Sequence, residues 1–366
     1  MQRRIVASLL APSLLLLASV SASAQTPASS NAQRALQWLQ CSQQQATGQI
    51  GAGGNPIARS SEVAIGLAAA GQQASAMHAG AASLADYLKT ATSTDVGTNG
   101  ELLLARASVA DAGPTAVVAA QLQAAKGANG EYGGDIYSDA LAILGLRAAG
   151  EAVADDAVAF LKAQQKASGG WSADNADQYG EDSNTTALVL QALISAGVAA
   201  DDALITKGFG YLESVYANGA FGSAPGAPAD ANSDELAIQA ILAAHLQSDD
   251  AWKTRLGHAI AYLAGQQVSS GSDAGAIASP YSKLFATTDA PAAFLGRAFT
   301  VSGAAEGAVP LLACAAVTTT TATPAAVPVL AQTGHTVDAR PLLGGLALIV
   351  PGLLLVWRSR RRARTS

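Results

Sequence analysis

A residue pair that ends in leucine recurs along the chain and sets the repeat from which the fold can be predicted. The copies are Trp38-Leu39, Tyr87-Leu88, Gln121-Leu122, Phe160-Leu161, Tyr211-Leu212 and Tyr262-Leu263. The Gln121 copy is degenerate, and the last three copies are 51 residues apart. Each pair lies in an amphipathic stretch with apolar residues at helical intervals. A repeat of this length is typical of helical hairpins that pack side by side.

A second, more apolar helix follows each pair. Three of these helices end alike, at Gly66–Gly71, Gly145–Gly150 and Ala192–Gly197, and we place the fifth at Leu236–Leu246 and the sixth at Pro291–Thr300. In the sixth, the proline would occupy the first helical position. A helix that is apolar all round is buried on more than one side. Six such hairpins predict an all-α (α/α)6 toroid whose inner ring is apolar; an open superhelix is the alternative.

The two cysteines favour closure of the ring. Cys41 lies at the end of the first outer helix, and Cys314 follows the last inner helix. In a closed ring these segments are neighbours, so we expect a Cys41–Cys314 disulfide, with two buried thiols as the alternative. The histidines and cysteines lack metal-ligand spacing, so we predict no metal and no cofactor.

The N-terminal segment is predicted to be a targeting signal. Residues 1–24 combine Arg3 and Arg4 with an apolar run and the small-residue exit Ala22-Ser23-Ala24, which is typical of a secretory signal peptide. A buried first helix is the alternative. The toroid is assigned to residues 25–315, and a Thr/Ala/Pro linker to 316–329.

The C-terminal segment 330–366 combines a short motif, an apolar run over 342–357 and a basic tail. The motif is Leu330, Ala331, Gln332, Thr333 and Gly334. In this order the three features resemble a cell-wall sorting signal of Gram-positive bacteria in its LAxTG form. The resemblance implies that a sortase cuts after Thr333 and joins it to peptidoglycan, while residues 342–357 hold the precursor in the plasma membrane. A simple membrane anchor is the alternative, and either puts residues 25–333 outside the cell.

The part of the chain between the two terminal signals is strongly acidic. Eight of the 21 Lys+Arg residues lie in the terminal segments, but only one of the 27 acidic residues lies there. Residues 25–333 therefore carry 13 basic and 26 acidic residues. Their net charge is −13. Such a surface repels phosphate backbones, so we expect no nucleic-acid partner.

The best-preserved repeat resembles a known family. Gln164-Gln165, then Gly169-Gly170-Trp171 and an acid-rich entry to an inner helix are similar to the prenyltransferase/squalene-cyclase repeat. The resemblance covers about residues 30–305 and implies an (α/α)6 toroid. That fold hosts class II terpene cyclases, protein prenyltransferases, cobalamin carriers and thioester domains, so it does not select a function.

The acid that class II cyclases use is missing from the matching position. The resemblance implies that the central aspartate of a D-x-D-D-T-A motif protonates an alkene, and residues 182–187 here read Asp-Ser-Asn-Thr-Thr-Ala. Asn184 has no acidic proton to give, so we assign no catalytic residue and leave open whether the protein is an enzyme. A cyclase or prenyltransferase-type enzyme that uses another acid, Asp182 or Asp139, is one alternative. A cobalamin-carrier-like binding protein is a second, although its β domain is missing.

The loops that enter the inner helices should meet at one mouth of the ring, because all inner helices point the same way. The candidate binding residues there are Asp135, Tyr137, Asp139, Trp171, Tyr179, Asp182, Asn184, Thr185, Asn232, Asp234 and Glu235; further polar neighbours are Ser61, Glu62, Tyr281 and Asp289. Each can also serve as a helix cap. An acidic loop over 174–182 leaves calcium open, although its spacing is not that of an EF-hand.

The sequence therefore predicts a wall-anchored, non-catalytic module that binds a small molecule or a surface ligand. A purely structural wall protein is the third possibility.

Overall fold

The computed structural model describes residues 27–176, 178–299 and 308–314. The predicted signal peptide, linker, sorting motif and apolar run lie outside these residues. Within them, no helix has both the length and the apolar character that a membrane span requires.

The described chain is built from helical hairpins with two small strand pairs between them. The helices are α1 (Pro27–Trp38), α2 (Pro56–Ala69), α3 (Leu84–Thr90), α4 (Val96–Ser108), α5 (Ala116–Ala125), α6 (Ile136–Ala148), α7 (Asp155–Ala163), α8 (Ser183–Ser195), α9 (Ala203–Ser214), α10 (Ala231–Ala243), α11 (Asp250–Gly265) and α12 (Lys283–Phe294). Strand β1 (Trp171–Ser172) pairs antiparallel with β2 (Glu181–Asp182), Trp171 opposite Asp182. Strand β3 (Tyr216–Ala217) pairs antiparallel with β4 (Ala220–Phe221), Tyr216 opposite Phe221.

The even-numbered helices form a closed inner ring. Each contacts the next, from α2 to α12, and α12 contacts α2. The odd-numbered helices lie outside them. The predicted all-α toroid of six hairpins is therefore confirmed, and the open superhelix is wrong.

Burial follows the division that the hydrophobic pattern predicted. Eleven of the 13 residues of inner helix α10 are buried, whereas in outer helix α11 only Ala259 and Leu263 of 16 residues are. An inner helix has neighbours on both sides and an outer helix behind it, so few positions can remain polar. An outer helix needs only a narrow apolar stripe.

Two glycines let α4 and α6 approach each other closely. A Cβ atom built on Gly100 would lie 2.5 Å from the carbonyl carbon of Leu141. One built on Gly145 would lie 2.5 Å from the carbonyl oxygen of Gly100. These distances leave no space for any side chain, so glycine is required at both positions.

The sixth inner helix corrects one expectation. It spans Lys283–Phe294, so Pro291 lies inside the helix rather than at its first position. The helix begins earlier because Ser282 is its N-cap, with a side chain that accepts from the Phe285 N–H. Pro291 removes one helical hydrogen bond. The ring of Pro291 packs against Gly66, at the contact between α12 and α2. A Cβ atom built on Gly66 would lie 3.0 Å from this ring.

The segment 308–314 lies along the first hairpin. Val309 N–H donates to the Ala70 carbonyl at 2.9 Å, and glutamine side chains of α1 donate to two further carbonyls of the segment. Cys41 and Cys314 form the expected disulfide, with Cα atoms 5.3 Å apart and a sequence separation of 273. The bond joins the end of the toroid to its beginning.

Candidate functional site

Several of the predicted mouth residues are helix caps. Asp135 accepts from the Ser138 N–H at 2.7 Å at the start of α6. Asp182 accepts from both the N–H and the hydroxyl of Thr185 at the start of α8, at 2.8 and 2.7 Å. Both carboxylates satisfy N–H groups that a helix start leaves unpaired. Both oxygens of Asp182 are thus already engaged, which leaves Asp182 badly placed as a catalytic acid.

Asp139 and Asp234 hold the chain segment that precedes their own helix. One oxygen of Asp139 accepts from the Tyr132 and Gly133 N–H groups at 2.7 and 2.8 Å. Asp234 accepts from the Phe221 N–H at 3.0 Å in the same way. Burial raises the pKa of Asp139 to about 6. The two backbone hydrogen bonds lower this pKa and so oppose part of the rise. These two acids fix loop geometry.

Trp171 does not line the mouth, contrary to the sequence prediction. Its side chain is fully buried, and its indole N–H donates to the Leu161 carbonyl at 2.8 Å. Its backbone N–H donates to the Thr186 hydroxyl at 3.0 Å. Trp171 is buried because β1 places it between the outer helix α7 and the inner helix α8. Tyr179, by contrast, is 74% exposed on the loop before α8.

Asn184 and Asn232 meet at the mouth. Both lie two residues after the N-cap of their helix, and Asn184 Nδ2 donates to Asn232 Oδ1 at 3.0 Å. They lie beside a cavity of about 290 Å³, which we call the rim pocket. The rim pocket is lined by Asn184, Ser223, Asp230, Asn232, Ser233, Ser279, Tyr281, Ser282, Phe285 and Ala286. It therefore lies over the first turns of α8, α10 and α12.

Four acidic side chains of the inner helices form what we call the interior acid cluster. They are Glu62 on α2, Glu101 on α4, Glu235 on α10 and Asp289 on α12, all buried. Their charges, with Arg59 and Tyr137, act on one another across five inner helices, so they face the axis. In the described structure both oxygens of Glu235 and one of Asp289 have no hydrogen-bond partner.

Burial favours the neutral form of the acids in this cluster. It raises the pKa of Glu101, Glu235 and Asp289 well above the usual range, and neighbouring carboxyls raise it further. Burial also raises the pKa of Glu62, but Arg59 opposes that rise. Arg59 pairs with Glu62 at 2.5 Å, and Thr288 donates to the same carboxylate oxygen at 2.5 Å. A buried unpaired carboxylate is very costly, which is why burial raises the pKa of the remaining acids.

Arg59 connects the interior acid cluster to the rim pocket. Its guanidinium carbon lies 4.2 Å from the centroid of the Phe285 ring. Phe285 lines the rim pocket and is 47% exposed. A cation–π contact therefore holds one of the aromatic rings that line the pocket.

The segment after α12 reaches a buried glutamine of α8. Phe299 N–H donates to the Gln191 side chain at 3.2 Å. In the ring, α10 lies between α8 and α12, so this bond joins α8 to the segment after an inner helix that is not its neighbour. Gln191 and Gln239 are fully buried.

We expect the replacement Glu235→Gln to weaken the dependence of stability on pH. The folded pKa of Glu235 lies above the unfolded value of about 4.3, so the unfolded state binds fewer protons between the two values. The contribution of Glu235 to the free energy of unfolding is therefore largest below the unfolded pKa. Between the unfolded and the folded pKa it decreases by about 1.4 kcal/mol per pH unit. Glutamine stays neutral, so the variant should gain stability relative to the parent as the pH rises above the unfolded pKa and match the parent most closely at pH 4.

Urea unfolding between pH 4 and pH 8 measures this effect. The matched control is Glu151→Gln, in the loop after α6, which should keep the parent slope. Parallel curves for Glu235→Gln and the parent would contradict neutral burial of Glu235.

The sequence missed Arg59 and Glu101 and placed Glu62 and Asp289 at the mouth. All four lie within the first two turns of an inner helix, so no local pattern separates them from caps. One signal existed: Glu62, Glu101 and Asp289 each lie six or seven residues after an N-cap in adjacent repeats. That spacing puts them on the same face of α2, α4 and α12.

Comparisons with known proteins give a fold and no more. No protein-family model and no curated protein matches the chain. Among solved structures, it is similar to the apo form of the type II terpene cyclase MstE from Scytonema (TM-score 0.54, 14% identity, 74% of this chain and 98% of that chain). It is also similar to a variant of MstE in complex with geranylgeranyl dihydroxybenzoate, described as its substrate (TM-score 0.54, 15% identity, 74% and 97%). The chain thus has the α/α toroid fold of a type II terpene cyclase.

Proposed function

We propose that this protein is a binding toroid and that the rim pocket is its ligand site. The observation that carries the proposal is a cavity of about 290 Å³ at the mouth, lined by amide, hydroxyl and aromatic groups. A concave site with a few convergent polar groups is the usual form of a small-molecule site. The pocket lies where the matched cyclase motif has Asn184 in place of its acid.

A ligand screen on the purified chain tests this function. We would follow the melting temperature and the amide side-chain NMR signals of Asn184 and Asn232 against a library of small metabolites and glycans. We expect at least one compound to shift both signals and to raise the melting temperature by mass action. In Asn232→Leu the Asn184 signal and the melting temperature should no longer respond, whereas in Gln123→Leu, on α5 and outside the pocket lining, both should respond as in the parent. A library that leaves both signals unmoved would overturn the proposal.

A second candidate is acid-catalysed cyclisation. It is favoured by the raised pKa of the buried Glu101, Glu235 and Asp289, because a carboxyl group that is protonated can give its proton to an alkene. The fold shared with MstE supports it further. Against it, Asn184 stands where the resemblance implies the proton donor.

Incubation with geranylgeranyl dihydroxybenzoate separates the two candidates. Cyclic product that disappears in Asp289→Asn would favour the cyclase and overturn a purely binding role. Under our first proposal no product forms, and Asn184→Asp does not create turnover.

We further propose that the sorting motif displays the toroid on the cell wall. Thr333→Ala should then move the protein from the wall fraction to the membrane fraction, because the sortase needs Thr333 for the acyl bond. Fractionation with an antibody to the toroid measures this. Gln332→Ala, at the variable position of the motif, is the control and should stay in the wall. Unchanged wall attachment of Thr333→Ala would contradict sortase anchoring.

A further inference from the structure

Exposed aromatic side chains are concentrated at the rim pocket. Among the described residues four large hydrophobic side chains are exposed: Val117, Tyr179, Tyr281 and Phe285. Two of them, Tyr281 at 80% and Phe285 at 47% exposure, line this one cavity. Aromatic residues make up 5% of the chain, so a pair in one small cavity is unexpected. An exposed aromatic ring beside a pocket offers a flat apolar surface to a ligand.

Apart from Ala286, the other groups of the rim pocket are polar. They are amides and hydroxyls, together with the carboxyl group of Asp230. Asp230 already accepts from the Ser233 N–H and hydroxyl, at 3.0 and 2.7 Å. In the described part of the chain, Asn232 Nδ2 and the Tyr281 hydroxyl have no partner. These groups can donate and accept without demanding a charge.

The pocket offers nothing to an anion or a long lipid. Neither lysine nor arginine lines it, and Arg59, behind Phe285, is already paired with Glu62. An anionic ligand would normally meet a cationic side chain. With about 290 Å³ the cavity is at the lower end of small-molecule pockets and is partly lined by hydroxyls. A small neutral polyol with one apolar face fits this chemistry best.

Resting on the proposed function, we propose that the rim pocket binds a neutral saccharide of one or two rings. The C–H face of a sugar ring packs on Phe285 and Tyr281, and its hydroxyls bond to Asn184, Asn232 and the serines. Arg59 acts as a positioning residue, because its cation–π contact holds the Phe285 ring in place before the sugar arrives.

Titration of the full chain with four named probes tests the proposal. They are N,N′-diacetylchitobiose, maltose, cellobiose and farnesol, with the NMR signals of Asn184 and Asn232 as readout. We expect at least one disaccharide to shift both signals with saturation. Tyr281→Ala and Phe285→Ala should each weaken that binding about tenfold or more. Val117→Ala trims an exposed apolar side chain of the outer helix α5, outside the pocket lining, and should leave the affinity unchanged.

The outcomes separate this inference from the proposed function. If farnesol shifts the two signals and no disaccharide does, the saccharide is wrong and the binding pocket stands. If no probe shifts them, and the wider screen also fails, both are overturned. If a disaccharide binds equally well to Tyr281→Ala and Phe285→Ala, it binds elsewhere, and the assignment to the rim pocket is wrong. Circular dichroism of both variants checks that they fold.

Discussion

Replacing Cys41 and Cys314 together by serine is expected to lower the free energy of unfolding by about 5 kcal/mol. The bond links residues 273 apart in sequence, so it removes much of the freedom of the unfolded chain. In the folded toroid the same segments are still held by the backbone hydrogen bond from Val309 to Ala70. The variant should therefore remain folded and unfold at a lower urea concentration.

Urea unfolding with and without dithiothreitol measures the contribution of the disulfide. The single variants Cys41→Ser and Cys314→Ser should each lose as much as the double variant, because all three lack the same bond. Reductant should bring the parent to the level of the variants and leave the double variant where it is. A parent that reductant does not destabilise would show that closure of the ring depends on packing alone.

Gly100→Ala is expected to destabilise the protein by about 3 kcal/mol. The new methyl group would lie 2.5 Å from the Leu141 carbonyl carbon, and α4 and α6 would have to move apart along the whole contact. Since α4 and α6 both belong to a closed ring, the displacement must be passed on to other inner-helix contacts. Thermal unfolding gives the magnitude.

Gly210→Ala is the matched control for this substitution. Gly210 also lies inside a helix, α9, but a Cβ there meets no atom within 4 Å. Alanine should stabilise that helix by up to about 1 kcal/mol because it is the better helix former. If the two substitutions had the same effect, the close approach of α4 and α6 would not be a requirement of the fold.

The fold could be predicted from the sequence because its signal is local and repeated. Each outer helix shows an amphipathic stripe, and even the degenerate Gln121-Leu122 lies in one, α5. Closure also had a sequence signal, the two cysteines at opposite ends of the toroid. Pro291 was misplaced because a proline usually marks a helix start. Here its packing against Gly66, a contact between the last and the second helix, overrides that preference.

The site was only partly predictable. Asn184 and Asn232 occupy equivalent positions in neighbouring repeats, so their contact follows from the repeat once the ring is known. Glu101 lies six residues after its N-cap, close to the seven of Glu62 and Asp289, but this spacing alone does not tell a buried acid from a capping one. Acidic residues are rarely buried without a partner, so an unpaired interior carboxyl such as Glu235 looks in sequence like any surface acid. Trp171 illustrates the reverse case. It is an aromatic residue next to a polar loop, and the strand pair β1 and β2 places it in the core.

The link between Cys41 and Cys314 also has a mechanical consequence. A pull applied between the two ends of the polypeptide would travel through the sulfur atoms and bypass the 272 residues that separate them in the chain. Helices α2 to α12 would carry no tension along their backbone while the bond is intact. Loads between the two ends that pull α1 away would thus leave the mouth undeformed while the disulfide is intact.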